Sequence, residues 1–93
     1  MLKTLEELIL IIRDRKASES NLSYTKKLIN NKLLRTNKLN EEIGELIEAA
    51  ENNSNKVHEA SDVIYHLMVY LEANDIKIED VMLELKKRKK FEK

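Results

Sequence analysis

Between Glu41 and Asp62 the chain reads "EEIGELIEAAENNSNKVHEASD", a stretch holding seven carboxylates: Glu41, Glu42, Glu45, Glu48, Glu51, Glu59 and Asp62. A solvated helical face is also commonly rich in Glu, so the spacing has to separate a wet surface from a cage of oxygen donors. Glu42 and Glu45 are i,i+3 neighbours and Glu41 and Glu45 are i,i+4. Like charges at these spacings destabilise an isolated helix by about 0.2–0.5 kcal/mol per pair. Glu59 and Asp62 form a second i,i+3 pair, and Val69 continues their face within the apolar run "LMVYL". Those two acids therefore point toward protein, where a carboxylate needs a partner. A hard divalent cation such as Mg²⁺ takes oxygen ligands and leaves positions for substrate phosphates. Two antiparallel helices joined by "NNSN" would set Glu42 and Glu45 opposite Glu59 and Asp62, a common way for bundles to build metal sites. His66, one turn beyond Asp62, reads as a core histidine bonded to a neighbour, and His58 as exposed.

The elements that must position these acids follow from the apolar spacing. Leu5, Leu8, Ile9 and Ile12 predict an amphipathic helix from Met1 to about Lys16. "ASESNLS" is a break, and Ser23 is placed to cap a short helix carrying Tyr24, Leu28 and Ile29. The asparagines of "NNKLLRTNK" suggest a turn before a third helix that starts around Leu33 and runs to about Glu51. At about 100° per residue, Leu39, Ile43, Leu46, Ile47 and Ala50 share an apolar arc. Lys38, Glu41, Glu42, Glu45 and Glu48 occupy the adjoining arc, with Ala49 among them. After the loop Asn52 to Asn55, a fourth helix spans about Lys56 to Asn74. Its apolar arc holds Val57, Ala60, Val63, Ile64, Leu67, Met68 and Leu71, with Glu59, Asp62 and His66 on its flank. A fifth helix starts near Ile78, turns Val81, Met82 and Leu85 inward, and ends in the basic "KKRKK", which suits a helix C-terminus.

Composition agrees with an all-α domain of four to five helices, single over residues 1–93. There is no Pro and only one Gly, whereas strand-and-turn folds need both for punctuation. Lys+Arg and Asp+Glu are both 17, so the basic footprint of a nucleic-acid binder is missing. With no Cys there is neither disulfide, thiolate zinc site nor Cys nucleophile, which is compatible with a reducing cytosol. The run "LILII" is too short for a membrane span or a signal h-region. These features predict a cytoplasmic protein that binds no membrane. In so short a chain the apolar "LMVYL" end, with Met68, Val69, Tyr70 and Leu71 facing nearly every direction, predicts an obligate homodimer that completes the core.

The pattern "EEIGE…HEASD" resembles the EExxE…ExxD motif of the all-α NTP pyrophosphohydrolase superfamily, which includes MazG-type enzymes. More specifically, "IIRDRK", "SYTKKL", "KLNEEIGE", "EASDVIYHLMVYL" and "IKIEDVMLELKKR" together resemble the phosphoribosyl-ATP pyrophosphohydrolase family of histidine biosynthesis over nearly the whole chain. The resemblance implies a dimeric helical bundle that cleaves the α–β phosphoanhydride of phosphoribosyl-ATP to give phosphoribosyl-AMP and pyrophosphate. It implies Glu42, Glu45, Glu59 and Asp62 as ligands of Mg²⁺, for which Mn²⁺ can substitute, and Glu41 as a further metal ligand or the group that orients the attacking water. It also raises a separate cyclohydrolase as a partner.

Further substrate contacts sit around this frame. Lys38, one turn before Glu42, either meets a phosphate or offsets the acid cluster in solvent. Ser23, Tyr24 and Thr25, followed by Lys26 and Lys27, offer a helix start with free N–H groups and positive charge as a phosphate seat; the other reading is capping by Ser23 beside a packed Tyr24. Arg88 is a third phosphate candidate at a basic helix end. The chain departs from the family at the turn after "SYT", where "NNK" replaces a Gly, and at Asn40, where the family has Gly. A house-cleaning pyrophosphatase acting on free NTPs or dNTPs is therefore the rival enzyme. A helical interaction module with surface acids is the rival from another class.

Overall fold

The computed structural model describes residues 2–88. Its elements are α1 (Lys3–Ala17), α2 (Tyr24–Asn30), α3 (Lys32–Asn52), α4 (Lys56–Ala73) and α5 (Ile78–Lys87), with no strand among the described residues. The all-α expectation holds. No helix among the described residues is long and apolar enough to cross a membrane. The basic run that starts at Lys86 extends beyond the described residues.

Local chemistry sets the boundaries. Ser23 caps α2, its Oγ accepting from the Lys26 backbone N–H at 3.0 Å. The expected turn between α2 and α3 contracts to one residue. Asn31 closes α2 and opens α3 in an extended conformation (φ −131°, ψ 99°), and its side chain accepts from the Leu34 N–H at 3.0 Å. An extended φ requires no glycine, so Asn serves at this junction. In the α3–α4 loop, Asn53 and Asn55 both take φ 51°, the left-handed region that Asn tolerates better than other side-chain residues.

Ile9, Ile12, Leu28, Met68 and Val69 form the core, so α1 and α2 pack on the C-terminal half of α4. Ile12, Leu28 and Val69 are wholly enclosed, and burying each is worth about 1.5–3 kcal/mol. Helix α3 pairs with α4 as the principal contact of the fold. That hairpin is seated not by the apolar arcs but by the acidic flank, where Glu42, Ala49 and His66 are buried.

Three expectations are corrected here. Ile43 and Ile47 of α3, with Val57, Ile64 and Leu67 of α4, are exposed in the single chain. A helical wheel identifies the apolar stripe but not the neighbour that covers it, and among the described residues no other helix covers that side. Met82 and Leu85 of α5 are likewise exposed, and only Val81 is partly covered. Conversely, Met68 and Val69 lie in the core and Leu71 packs against it, so "LMVYL" is largely covered within one chain, with Leu67 left exposed. The apolar surface left over includes the α3–α4 arc.

Candidate active site

Two groups of acids face the cleft between α3 and α4. Glu41, Glu42 and Glu45 bring one carboxylate oxygen each within 4.8 Å of one another on α3, and a ring nitrogen of His58 lies within the same distance of one carboxylate oxygen each of Glu59 and Asp62 on α4. Glu45 joins the groups, because its carboxylate lies against both Glu42 and Glu59. Burial raises the Glu42 carboxyl above its ordinary range, and the charge of Glu45 raises it further, with His66 opposing and Asp62 adding to the rise. Burial also raises Glu59, followed by contact with Glu45 and by Asp62, while His58 opposes. The four acids expected as ligands, Glu42, Glu45, Glu59 and Asp62, are therefore brought together.

Their donor set fits a hard cation. Glu42 Oε2 and Glu59 Oε2 are enclosed and have no hydrogen-bond partner among the described residues, a costly state for an ionised carboxylate. Oxygen-only donors on facing helices match Mg²⁺ or Mn²⁺ rather than a soft metal. His58 Nε2 is 3.3 Å from Asp62 Oδ2, but its ring is largely solvent-exposed.

The remaining candidates divide. Lys38 Nζ is 3.3 Å from Glu41 Oε2 at the edge of the cluster, leaving both groups next to the acids and open to solvent. Tyr24 is half-exposed, and its hydroxyl lies within the field of Lys38, Glu42 and Glu41. Burial first, and then Tyr65 and those two acids, push this hydroxyl above its ordinary value, while Lys38 pulls the other way. Thr25 is buried, its Oγ1 2.5 Å from the Tyr65 hydroxyl. Ser23 is engaged as the cap, and Lys26 Nζ turns away to donate to the Lys16 carbonyl at 2.8 Å. Lys27 is exposed on α2. Arg88 meets Glu84 on its own helix at 3.3 Å, and α5 touches α4 rather than the acid-bearing α3.

Several linking residues carried no strong signal in the sequence. Arg13 bonds Glu72 at 3.0 Å and Glu79 at 2.6 Å, tying α1 to α4 and α5. The one trace of it is Glu72, a lone acid in the apolar half of α4 that requires a cation. His66 bonds Tyr24 and the Asp62 carbonyl, as a core histidine should. A depression of about 230 Å³ at the loop end of the hairpin is lined by Glu45, Glu48 and Glu59 among others. A groove of about 700 Å³ between α1 and α5 is mostly apolar, lined by Leu5, Ile9, Leu10, Met82 and Leu83, with Arg13, Glu79 and Lys86 also on its wall.

Residues 5–89 match the family model described as phosphoribosyl-ATP pyrophosphohydrolase. The chain is 39% identical over 92 residues to the phosphoribosyl-ATP pyrophosphatase of Haloarcula marismortui, covering 91% of this chain and 92% of that one. It is 42% identical over 89 residues to the protein of that name from Clostridium tetani, covering 94% of this chain and 80% of the relative. It is also 40% identical over 93 residues to a histidine biosynthesis bifunctional protein of Pyrococcus furiosus, covering 97% of this chain and 42% of that longer one.

Proposed function

Because the chain belongs to the phosphoribosyl-ATP pyrophosphohydrolase family, we propose that it hydrolyses phosphoribosyl-ATP to phosphoribosyl-AMP and pyrophosphate, an early step of histidine biosynthesis. One observation carries the reading to this chain's own residues. Glu42 Oε2 and Glu59 Oε2 are buried without a hydrogen-bond partner among the described residues, each within a group of candidate ligands on its own helix.

Glu42, Glu45, Glu59 and Asp62 would hold Mg²⁺, or Mn²⁺ in its place. Bound there, the cation supplies positive charge against the triphosphate and acidifies water. The chain's own groups do the positioning. Lys38, at the rim of the cluster, donates to phosphate oxygens as a mobile ammonium. Glu41, exposed beside it, accepts a hydrogen bond from the attacking water and holds it in line with the α-phosphorus. Attack forms a bond from the water oxygen to the α-phosphorus and breaks the bond to the bridging oxygen, while the water's proton passes to Glu41 and on to solvent. The electron pair leaves with pyrophosphate.

A second copy of the chain is the natural cover for Ile43, Ile47, Ile64 and Leu67. Exposed apolar residues on one hairpin of so small a domain favour a homodimer. A phosphorylated nucleotide substrate supports the reading of a cytoplasmic reaction.

Product identification tests this reading. Purified protein with Mg²⁺ and phosphoribosyl-ATP should yield phosphoribosyl-AMP and pyrophosphate in equal amounts. Release of single inorganic phosphate with phosphoribosyl-ADP would place cleavage at the β–γ bond and overturn it.

A further inference from the structure

Two consecutive residues of α2 bond two consecutive residues of α4. The Tyr24 hydroxyl is 3.2 Å from His66 Nε2, and Thr25 Oγ1 is 2.5 Å from the Tyr65 hydroxyl. The three rings form one packed group. Tyr24 and Tyr65 lie nearly parallel at 6.4 Å, and each meets His66 edge-on, at 6.0 and 5.0 Å. The two bonds differ in what they anchor. Thr25 is buried and its link is internal, whereas Tyr24 has its outer side in solvent at the cleft.

The protonation pattern of the histidine follows from its partners. His66 Nδ1 is 2.9 Å from the backbone carbonyl oxygen of Asp62, which can only accept. Nδ1 therefore carries the hydrogen in the neutral ring, and Nε2 is left as an acceptor. The Tyr24 hydroxyl must then donate to Nε2. This fixes the hydroxyl torsion and leaves its oxygen lone pairs directed away from the histidine. The ring of Tyr24 is thus referenced to the backbone of Asp62, one of the four acids at the centre of the cleft.

We propose that His66 is a positioning residue for substrate binding: by donating through Nδ1 to the Asp62 carbonyl and accepting through Nε2 from Tyr24, it holds the Tyr24 ring as a fixed wall beside the acid cluster. This rests on the reading that the cleft binds phosphoribosyl-ATP. His66 does not touch substrate. It is buried, and it acts through Tyr24. A rigid wall contributes mainly to binding, so its loss shows in KM rather than kcat.

Two isosteres separate the halves of the link. His66→Asn keeps an N–H near the Nδ1 position and removes the acceptor facing Tyr24. His66→Gln offers an amide oxygen near the Nε2 position and gives up the bond to Asp62. Tyr24→Phe removes the hydroxyl alone and keeps the ring, at a half-exposed site. His66→Asn and Tyr24→Phe should each raise KM for phosphoribosyl-ATP by about ten-fold, with much smaller changes in kcat, as expected for one lost hydrogen bond. His66→Gln, which keeps the acceptor for Tyr24 but not the bond to Asp62, should recover part of the loss. The double variant Tyr24→Phe/His66→Asn should be no worse than either single one. Equal KM values for His66→Asn and His66→Gln, or additive effects in the double variant, would overturn the proposal.

Imidazole nitrogen NMR of the wild-type chain at pH 8 supplies a readout independent of turnover. His66 should be the Nδ1–H tautomer, and its Nε2 resonance should shift in Tyr24→Phe. An Nε2–H tautomer, or an Nε2 resonance that ignores Tyr24→Phe, defeats the positioning role whatever the substrate. Absence of wild-type turnover with an intact tautomer and shift defeats the substrate reading instead.

Discussion

The guanidinium of Arg13 in α1 lies 2.6 Å from Glu79 at the start of α5, 66 residues along the chain, while its Nε holds Glu72 of α4 at 3.0 Å. One side chain thereby pins the two ends of the fold around the core. The hydrogen bond from Arg13 holds the Glu79 carboxyl down to about 2 from an ordinary 4.5. A depressed folded-state pKa stabilises the fold above the unfolded value, and that contribution disappears as pH falls through the folded one. Glu79→Gln should therefore lower thermal stability slightly at pH 7, with the difference from wild type shrinking below about pH 4.5 and gone near pH 2. Because Glu79 is exposed, added salt should shrink it too. Thermal melts across this pH range check the sign.

Arg13→Met removes the cation from the buried Glu72 as well. Leaving that carboxylate without its partner should cost about 1–3 kcal/mol of stability, well beyond the effect of Glu79→Gln. Chemical denaturation of the two variants at pH 7 compares them directly.

For the acid cluster, activity and stability should move in opposite directions. Glu42→Gln, Glu45→Gln, Glu59→Gln and Asp62→Asn should each lower kcat by about a hundred-fold or more. Glu51→Gln, at the exposed end of α3, should be nearly silent. In chelator, Glu42→Gln and Glu59→Gln should melt higher than wild type at pH 7, because burial and Glu45 raise both carboxyls in the fold. Groups with raised folded-state pKa values favour the fold when protonated and oppose it as pH rises, so this gain should fade toward pH 4. Uniformly mild effects on kcat would make the cluster a wet surface.

Lys38 stands at 3.3 Å from Glu41, and either could be the useful half of the pair. Lys38→Met should raise KM by roughly ten- to a hundred-fold, the range of a charge-assisted hydrogen bond of about 1.5–3 kcal/mol. Arg88→Met, whose guanidinium meets Glu84 on its own helix, should change KM little.

The uncovered arc on α3 and α4 gives a test of assembly. Wild type should sediment as a dimer at micromolar concentration, and Ile47→Asp should yield helical monomers or unfold on dilution. A folded wild-type monomer would leave the exposed Ile47 and Ile64 without an occupant.

Periodicity and capping made the five helices legible, since Ser23, Asn31 and the left-handed asparagines of "NNSN" act locally. The inward direction of Glu59 and Asp62 was legible too, because Val69 extends their face into the core. What the spacing did not contain was the identity of the covering element. The stripe of Ile43 and Ile47 looks like any core stripe until the neighbours of α3 are known. Arg13 and Glu72, 59 residues apart, carry no mutual signal in a chain with 17 basic and 17 acidic residues. His66 was legible as a bonded core histidine, but not as the partner of Tyr24, because that pairing depends on how α2 docks on α4.

Initial rates of pyrophosphate release from phosphoribosyl-ATP, ATP and the four dNTPs, at equal low concentration with Mg²⁺ and again in excess chelator, test substrate and metal together. Phosphoribosyl-ATP carries a second phosphate on its added sugar, and contacts to that group should give it at least a ten- to hundred-fold advantage, about 1.5–3 kcal/mol of charge-assisted binding. The expected result is rapid release from phosphoribosyl-ATP alone, abolished by chelator and restored by Mg²⁺ or Mn²⁺. Equal rates with ATP or a dNTP, or full activity in chelator, would contradict it.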